Sequence, residues 1–371
     1  MRWKVTFKPN IEFRDFLSPI VMIEGYKQFV QNIPLPPAIR ADIDRLNIVR
    51  AVRGTTGIEG STLTEDKVRE IIENKARKKA EKLSLEEQEA VNADDVLEYI
   101  RSREPERRIK LTEGFVRQVH RITTKDCKYE GNVPGEYRDH NVRAGEYSCP
   151  SHMEVPALMK EFISFINSEP VIETHAVIRA ILAHFYLVSI HPFGDGNGRT
   201  SRGVEAYILY NGGYYNALGF YSLANFYYRN RGAYVEQLQK ARFQYDGNLT
   251  AFVKFSLNGF VEELEDIRNQ VLDFYREISY CDYINELHSS GEINDRIHSI
   301  LLWMAKKGES MSTKEFRERK IPLIAAIYKN LSNRTVRSDL KRMTDLDLIR
   351  IEDDIVSANI ALMDEFAPVH L

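Results

Sequence analysis

The stretch from Thr174 to Ile190 constrains the fold most, because Ala, Ile, Leu, Val and Phe occur on every side of a helix drawn through it. A helix that is apolar all round must lie in a protein interior. Pro192 disfavours helical backbone at the preceding residue, so this helix should end near Ile190. A second helical pattern runs from Thr200 to Tyr210, and Gly212-Gly213 are suited to end it. The sequence therefore predicts a mainly helical fold around a buried helix-loop-helix.

The loop that joins the two helices, HPFGDGNGRTSR (His191–Arg202), has the composition of a phosphate site. The first backbone N–H groups of a helix lack partners within the helix and attract anions beyond its N-terminus. Gly196 and Gly198 let a ligand approach the backbone closely. Arg199 and Arg202 are three residues apart, so they project from one helix face, and each can bind phosphate oxygens through two N–H groups. We therefore expect the loop to bind a phosphate-containing ligand.

Two further side chains of the loop indicate a reaction rather than binding alone. Asp195 only accepts hydrogen bonds and would repel a bare phosphate, so its presence among donors predicts a divalent cation, with Mg²⁺ the natural choice. His191 is the only side chain of the loop that can take up a proton near neutral pH, which predicts a general base. A simple glycine turn with surface arginines explains each residue singly, but it does not explain the combination.

The same loop resembles the signature of the Fic family, His-x-Phe-x-Asp/Glu-Gly-Asn-Gly/Lys-Arg-x-x-Arg, at every position. The resemblance implies a protein adenylyltransferase that moves AMP from ATP to a Ser, Thr or Tyr hydroxyl of a target protein, or of itself, and releases pyrophosphate. ATP would be the substrate and Mg²⁺ the cofactor. The resemblance assigns His191 as the base, Asp195 as the metal ligand, Gly196, Asn197 and Gly198 as an anion nest, and Arg199 and Arg202 as phosphate-binding arginines, with Arg202 on the γ-phosphate.

A second motif, TTGIEG, lies far upstream at Thr55–Gly60. The residues alone favour a helix C-terminus at Glu59 and Gly60, followed by a capping box over Thr62–Glu65. The segment also resembles the inhibitory pattern of the Fic family, Ser/Thr-x-x-x-Glu-Gly/Asn. That resemblance implies that Glu59 pairs with Arg202, deprives the γ-phosphate of its partner and inhibits the enzyme within the same chain. In the family such a glutamate can also assist removal of AMP.

Two weaker resemblances concern the target and the adenine. The turn Pro134–Arg138 is followed by a segment that is similar to the β-hairpin flap of the family, here roughly His140 to His152. An exposed strand edge there could hold an extended target segment by backbone pairing. Tyr234 aligns with a family helix whose aromatic face stacks on the base. A tyrosine stripe at helical spacing is more often part of a core than of a cofactor site, and that alternative stays open.

The sequence predicts three regions: residues 1–105, helical and carrying the inhibitory motif; 106–289, the Fic catalytic core and linker helices; and 290–371, which resembles a winged helix. Residues 1 to about 35 are interpreted as an irregular arm, and the charged segment NKARKKAEKLSLEEQEA as a solvent-exposed helical face. In the last region we expect three helices, at residues 294–310, 312–330 and 331–349, with Ser332 as an N-cap, followed by a β-hairpin wing.

The winged-helix resemblance leaves two kinds of partner open. Basic residues at the spacing of a recognition helix favour DNA, whereas acidic residues dilute that basic face and favour a protein partner. The basic residues are Arg334, Arg337, Lys341 and Arg342, and the acidic ones are Asp339, Asp345 and Asp347.

The composition argues against several classes of protein. Lys and Arg total 51 against 54 Asp and Glu, so no general affinity for polyanions follows. Three widely spaced cysteines argue against a disulfide framework or a zinc site. The N-terminus lacks the apolar core of a signal peptide and no long apolar stretch occurs, so we expect a cytoplasmic protein without a membrane partner. Two function classes compete: a self-inhibited protein adenylyltransferase, and a DNA-binding regulator whose Fic core senses a nucleotide. A homodimer is left open.

Overall fold

The computed structural model describes residues 5–75, 83–216, 219–220, 222–243 and 246–366. It is mainly helical with small antiparallel sheets, which confirms the predicted fold class. Two compact units are present, Met1–Arg268 and Asn269–Leu371. No helix within the described ranges has a long enough apolar stretch to cross a membrane.

The first unit consists mostly of helices. Their bounds are α1 Leu17–Asn32, α2 Pro37–Gly57, α3 Glu65–Glu73, α4 Leu85–Arg101, α5 Glu113–Thr123, α6 Val155–Ile166, α7 Glu169–Ile172, α8 Ala176–Ile190, α9 Asn197–Asn211, α10 Ala224–Arg229 and α11 Arg231–Phe243. A long helix, α12 (Thr250–Ser289), begins in this unit. Two short hairpins accompany the helices: β1 Arg143–Ala144 with β2 Tyr147–Ser148, and β3 Tyr215–Asn216 with β4 Gly219–Phe220.

The centre of the first unit is the pair α8 and α9, which pack against each other. Every residue from 177 to 190 in α8 is buried, as its all-round apolar pattern predicted. The helix ends at Ile190 because His191 turns into a left-handed conformation (φ 54°) before Pro192. Gly196 is also left-handed (φ 71°), and α9 starts directly after it. The sharp loop between the helices is therefore fixed by backbone geometry at both of its ends.

The N-terminal segment is not irregular as predicted, because it contains α1. Ile23 and Val30, one heptad apart, are buried on one face of this helix. Leu17 and Val21 are apolar but exposed, at 63% and 70%, and they obscured the helical period in the sequence. The prolines mark the helix boundaries instead of an arm: α1 ends before Pro34, and Pro37 opens α2.

The segment that resembles the inhibitory pattern, Thr55–Gly60, lies at the end of α2, which packs against α4, α9 and α10. The helix that follows is capped by Thr64, whose side chain accepts a hydrogen bond from the Lys67 N–H, so the capping box predicted over Thr62–Glu65 was wrong by two residues. Thr62 instead donates to Glu86 through its backbone and its hydroxyl.

The interpretation of NKARKKAEKLSLEEQEA as a solvent-exposed face falls partly outside the described residues, which omit 76–82. Within the described part, Glu89 is buried at 9% exposure. Solvent exposure was therefore the wrong expectation for this glutamate.

The second unit has helices α13 Asp295–Lys307, α14 Thr313–Glu318, α15 Pro322–Ile327 and α16 Asn333–Asp345. Its antiparallel sheet has the order β5 (Met311–Ser312), β7 (Ile355–Ala358), β6 (Ile349–Glu352). The predicted second helix is broken in two, because Arg319 is left-handed (φ 60°) and Pro322 opens a new helix. Ser332 caps α16 as predicted, accepting from the Thr335 N–H. Phe316, Tyr328 and Val356 are buried in the core of this unit.

Candidate active site

His191 lies at the C-terminus of α8 with its imidazole half-buried. Its Nδ1 is 3.2 Å from the Val188 carbonyl oxygen, an acceptor, so Nδ1 carries the proton of the neutral ring and Nε2 is left unprotonated. Burial lowers the pKa of His191 to about 4. At neutral pH the ring is therefore neutral and able to accept a proton at Nε2.

The loop after His191 is braced by side chains rather than left to flex. The Asn197 amide donates to the Phe193 carbonyl oxygen (2.9 Å) and accepts from the Phe193 N–H (2.9 Å). His120 stacks on the Phe193 ring with centroids 3.7 Å apart, and its Nε2 lies 3.0 Å from the Asp195 carbonyl oxygen. His120 Nδ1 accepts from the Gly135 N–H, which fixes its tautomer. The side chain of Asn197 is thus committed to shaping the loop.

At the N-terminus of α9, the first backbone N–H groups point out of the helix end. The first N–H group bonded within this turn is that of Thr200, which donates to the Gly196 carbonyl (2.9 Å). The preceding N–H groups, at residues 197 to 199, have no acceptor within the helix. The Glu59 carboxylate lies directly at this position, since a Cβ built on Gly198 would be 2.1 Å from Glu59 Oε1. The anionic side chain of Glu59, in the turn after α2, thus occupies the anion-attracting end of α9.

Arg202 is nearly fully buried, at 2% side-chain exposure, and it makes three hydrogen bonds to the end of α2. Its guanidinium donates to Thr55 Oγ1 (2.8 Å), to the Thr55 carbonyl (2.8 Å) and to Glu59 Oε1 (2.6 Å). Burial would raise the pKa of Glu59, but the Arg202 guanidinium holds it below its ordinary value. Glu59 is therefore a carboxylate at neutral pH, paired with Arg202 in the contact that the sequence predicted.

Arg199 is held by a second acidic group, which the sequence did not suggest. Its guanidinium lies 2.8 Å from Glu89 Oε1 and 3.1 Å from Asp195 Oδ1, and it donates to the Tyr129 hydroxyl (2.7 Å). Burial works against its charge, but the Glu89 carboxylate raises the pKa of Arg199 above its ordinary value. Arg199 is therefore fixed in position and permanently charged.

Asp195 has the properties that a magnesium ligand requires. One carboxylate oxygen binds Arg199 and the Gly196 N–H, while the side chain keeps 46% exposure. No group of three acidic, histidine or cysteine ligands occurs in the part of the chain that the structure describes. Mg²⁺ is commonly held by one or two carboxylates together with substrate phosphates and waters, so a single carboxylate beside a phosphate site fits this ion.

Arg138 connects the predicted flap hairpin to the His191–Arg202 loop. Its backbone N–H donates to the Pro192 carbonyl (3.0 Å), and its guanidinium donates to the carbonyls of His191 (2.8 Å), His140 (2.9 Å) and Pro150 (2.6 Å). The β1–β2 hairpin falls inside the range predicted for the flap. Arg138 thus holds both ends of the flap against the residue proposed as the base.

Tyr234 lies in α11 and is 3% exposed, so its ring is part of the core. Its hydroxyl is 2.9 Å from His184 Nε2, and its ring stacks on Tyr227 with centroids 4.5 Å apart. Burial raises the pKa of Tyr234 to about 12. A role for Tyr234 in stacking on adenine stays a prediction.

Sequence reasoning missed three residues that shape the site: His120, Glu89 and Tyr129. Each comes from a segment far from the loop in sequence, and none belongs to a recognisable motif. The one available signal was Arg199 itself, because a buried arginine requires an acidic partner somewhere in the chain.

Comparison with known proteins finds a family match over part of the chain. Residues 110–209 match the Fic/DOC family model. Among similar curated proteins, Protein adenylyltransferase Fic of Drosophila erecta is 30% identical over 222 residues, which cover 60% of this chain and 40% of the relative. Protein adenylyltransferase Fic of Culex quinquefasciatus is 28% identical over 256 residues, which cover 67% of this chain and 47% of the relative. This chain spans less than half the length of these relatives.

Solved structures agree at the level of the fold. A Fic family protein from Desulfovibrio desulfuricans G20 matches with a TM-score of 0.57 and 18% identity, over 95% of this chain and 98% of that one. Fic-1 from C. elegans matches with a TM-score of 0.55 and 21% identity, over 70% and 72% of the two chains. The family match at residues 110–209 includes the whole His191–Arg202 loop.

Proposed function

We propose that this chain is a protein adenylyltransferase that transfers AMP from ATP to a Ser, Thr or Tyr hydroxyl of a target protein or of itself. The observation that carries the proposal is the carboxylate of Glu59, an anion seated between Arg202 and the N-terminus of α9. A terminal phosphate also presents negative charge and acceptor oxygens to such donors. The relatives named protein adenylyltransferase support the same reaction.

In the proposed reaction the target hydroxyl oxygen attacks the α-phosphorus of ATP. A bond forms between that oxygen and the α-phosphorus, the bond between the α-phosphorus and the bridging oxygen to the β-phosphorus breaks, and pyrophosphate leaves. His191 Nε2 accepts the hydroxyl proton, which its neutral ring allows. Arg199, Arg202 and the N–H groups of α9 bind the phosphate oxygens. Their fixed positions matter because phosphoryl transfer depends mainly on positioning and charge stabilisation.

Asp195 would hold Mg²⁺, which supplies positive charge that neutralises the phosphates and the leaving pyrophosphate. Arg199 also contacts the Asp195 carboxylate, which keeps this side chain next to the phosphate site.

The proposal includes self-inhibition. The Glu59 carboxylate takes the Arg202 N–H group and the end of α9 that a γ-phosphate would use, so ATP cannot engage both while Glu59 is in place. Arg231 Nε donates to the Ile58 carbonyl (2.8 Å), which fixes the backbone next to Glu59. Removal of AMP by the same site stays a prediction.

The test uses ATP labelled separately at the α- and the γ-phosphorus, with Mg²⁺ and the Glu59→Gly variant, in which inhibition is removed. AMP transfer leaves the α-label on protein and releases the γ-label as pyrophosphate. Retention of the γ-label on protein would show a kinase, and retention of neither label would overturn the proposed transfer. Asp44→Asn, a change at an acidic residue paired with Arg101 outside the site, is the matched control.

For the second unit we propose a winged helix that binds DNA through α16. Asp339, expected to dilute the basic face, is 5% exposed and pairs inside the unit with Arg296 (2.8 Å). Arg334, Arg337 and Lys341 remain on the exposed face. Arg337, Lys314 and Arg317 line a cavity of about 470 Å³ beside the N-terminus of α16. A basic, exposed helix face is suited to phosphate contacts.

A further inference from the structure

A buried pair of titratable side chains lies behind the site, His184 in α8 and Glu205 in α9. Both are 0% exposed, and they stand two helical turns before His191 and one turn after Arg202. His184 Nδ1 and Glu205 Oε2 face each other at 3.7 Å, and neither atom has a hydrogen-bond partner among the residues that the structure describes. Two facing, unsatisfied polar atoms in a core are costly unless a proton is shared between them.

The other polar atom of each side chain, Glu205 Oε1 and His184 Nε2, has a hydrogen-bond partner. Glu205 Oε1 lies 3.1 Å from the Tyr227 hydroxyl, which is also 3.1 Å from Ser256 Oγ. His184 Nε2 lies 2.9 Å from the Tyr234 hydroxyl. The pair therefore joins Tyr227 on one side to Tyr234 on the other.

The surroundings favour the neutral form of both groups. Burial raises the pKa of Glu205 to about 8 and lowers the pKa of His184 well below its ordinary value. The nearby cations, Arg202 and Arg242, work against protonation of His184, and Arg202 also lowers the pKa of Glu205. Tyr227 and Tyr234, the other titratable groups facing the pair, have raised pKa values and stay protonated. Near pH 7 the proton of the pair therefore belongs to Glu205.

The position of that proton decides the direction of the hydrogen bond to Tyr234. At 3.7 Å the two atoms are just beyond hydrogen-bond distance, and a small approach lets a protonated Glu205 donate to His184 Nδ1. His184 Nε2 then carries the ring proton and donates to the Tyr234 oxygen. When Glu205 gives its proton to solvent, its carboxylate must accept from Nδ1–H. Nε2 then becomes an acceptor, and Tyr234 must donate inward to it.

We propose that Glu205 and His184 are positioning residues that share one proton, and that the charge on Glu205 sets how strongly Arg202 can hold a phosphate or the Glu59 carboxylate. Ionised Glu205 adds a buried negative charge one helical turn from Arg202. That charge attracts the Arg202 guanidinium and so weakens the hold of Arg202 on an anion. This inference rests on the proposed function for the identity of the anion.

The test measures ATP binding with Mg²⁺ by calorimetry between pH 6.5 and 9.5 in a Glu59→Gly, His191→Ala background, which removes inhibition and turnover. The Kd for ATP is expected to rise roughly tenfold above pH 8, a typical size for coupling between sites. Adding Glu205→Gln, whose amide mimics the protonated acid, abolishes that rise and keeps the tighter affinity throughout. Glu263→Gln is the matched control, because Glu263 is another glutamate whose pKa burial raises, held by Asn225 and Arg229 outside the pair.

Infrared spectroscopy provides a readout that needs neither transfer nor ATP. Wild-type protein in D₂O is expected to show a protonated carboxyl band at pH 7 that fades above pH 8 and is missing in Glu205→Gln but present in Glu263→Gln. ATP binding whose pH dependence is identical in Glu205→Gln and its parent would overturn the inference while leaving the proposed function intact. If ATP does not bind at any pH, the proposed function fails, and the infrared band still decides whether Glu205 holds the proton.

Discussion

Replacing Arg138 with methionine is expected to release the flap from the catalytic loop while keeping most of the aliphatic volume. The change removes three hydrogen bonds, to the carbonyls of His191, His140 and Pro150. His140 is near solvent and water can replace its bond, whereas Pro150 is buried and His191 half-buried. Two carbonyls left without donors at about 1–3 kcal/mol each predict a loss of roughly 2–6 kcal/mol in the free energy of unfolding.

Urea unfolding followed by circular dichroism measures this loss, and hydrogen exchange at the amides of Arg143–Ser148 locates it. The rate of AMP transfer is expected to fall more than the affinity for ATP, because Arg138 holds the flap and His191 rather than a phosphate. Arg143→Met is the matched control, since Arg143 is an exposed arginine of the same hairpin with one bond, to the Glu146 carbonyl. Equal effects of the two substitutions, on stability and on exchange, would refute the bridging role of Arg138.

Further outcomes follow from single groups. His191→Ala is expected to lower transfer roughly 10²–10⁴-fold while ATP still binds, and transfer at the normal rate would remove His191 from the mechanism. Burial lowers the pKa of His120 in the folded protein to about 4. In the unfolded chain this histidine binds a proton below about pH 6.5, so the unfolded state gains stability first as the pH falls. Lowering the pH from 7 to 5 should therefore reduce the free energy of unfolding by about 2 kcal/mol, and by less in His120→Gln. DNA binding by the full chain should weaken steeply with salt and with Arg337→Ala, whereas binding that ignores both would indicate a protein partner.

The sequence was most informative where one segment determined its own structure. The apolar residues of α8, the proline after it and the glycines of the loop act locally, so the bounds of the central helices could be predicted. The contact between Glu59 and Arg202 spans 143 residues and could be expected only from a family resemblance. Physical pattern alone favoured a helix cap at the same place, and Glu59 does follow the end of α2.

What could not be predicted depends on packing between distant segments. Glu89 looks like one more exposed glutamate until α4 packs beside α9 and brings it to Arg199. The left-handed backbone of Arg319 divides a segment whose composition is helical throughout. His184 and Glu205 gave no signal, because a lone histidine and a lone glutamate in apolar helices acquire meaning only once those helices face each other.

The measurement that tests the account most directly is the intact mass of the protein after incubation with ATP and Mg²⁺. The Glu59 side chain is 37% exposed, so solvent weakens its hydrogen bond to Arg202 to a contribution of about 1–2 kcal/mol. Removing that contribution with Glu59→Gly is expected to raise self-modification roughly 5- to 30-fold. Arg202→Ala should gain no AMP, and the double variant should match Arg202→Ala, since both changes act through one contact. Unchanged modification in Glu59→Gly would contradict self-inhibition, and AMP addition by the double variant would contradict the role of Arg202.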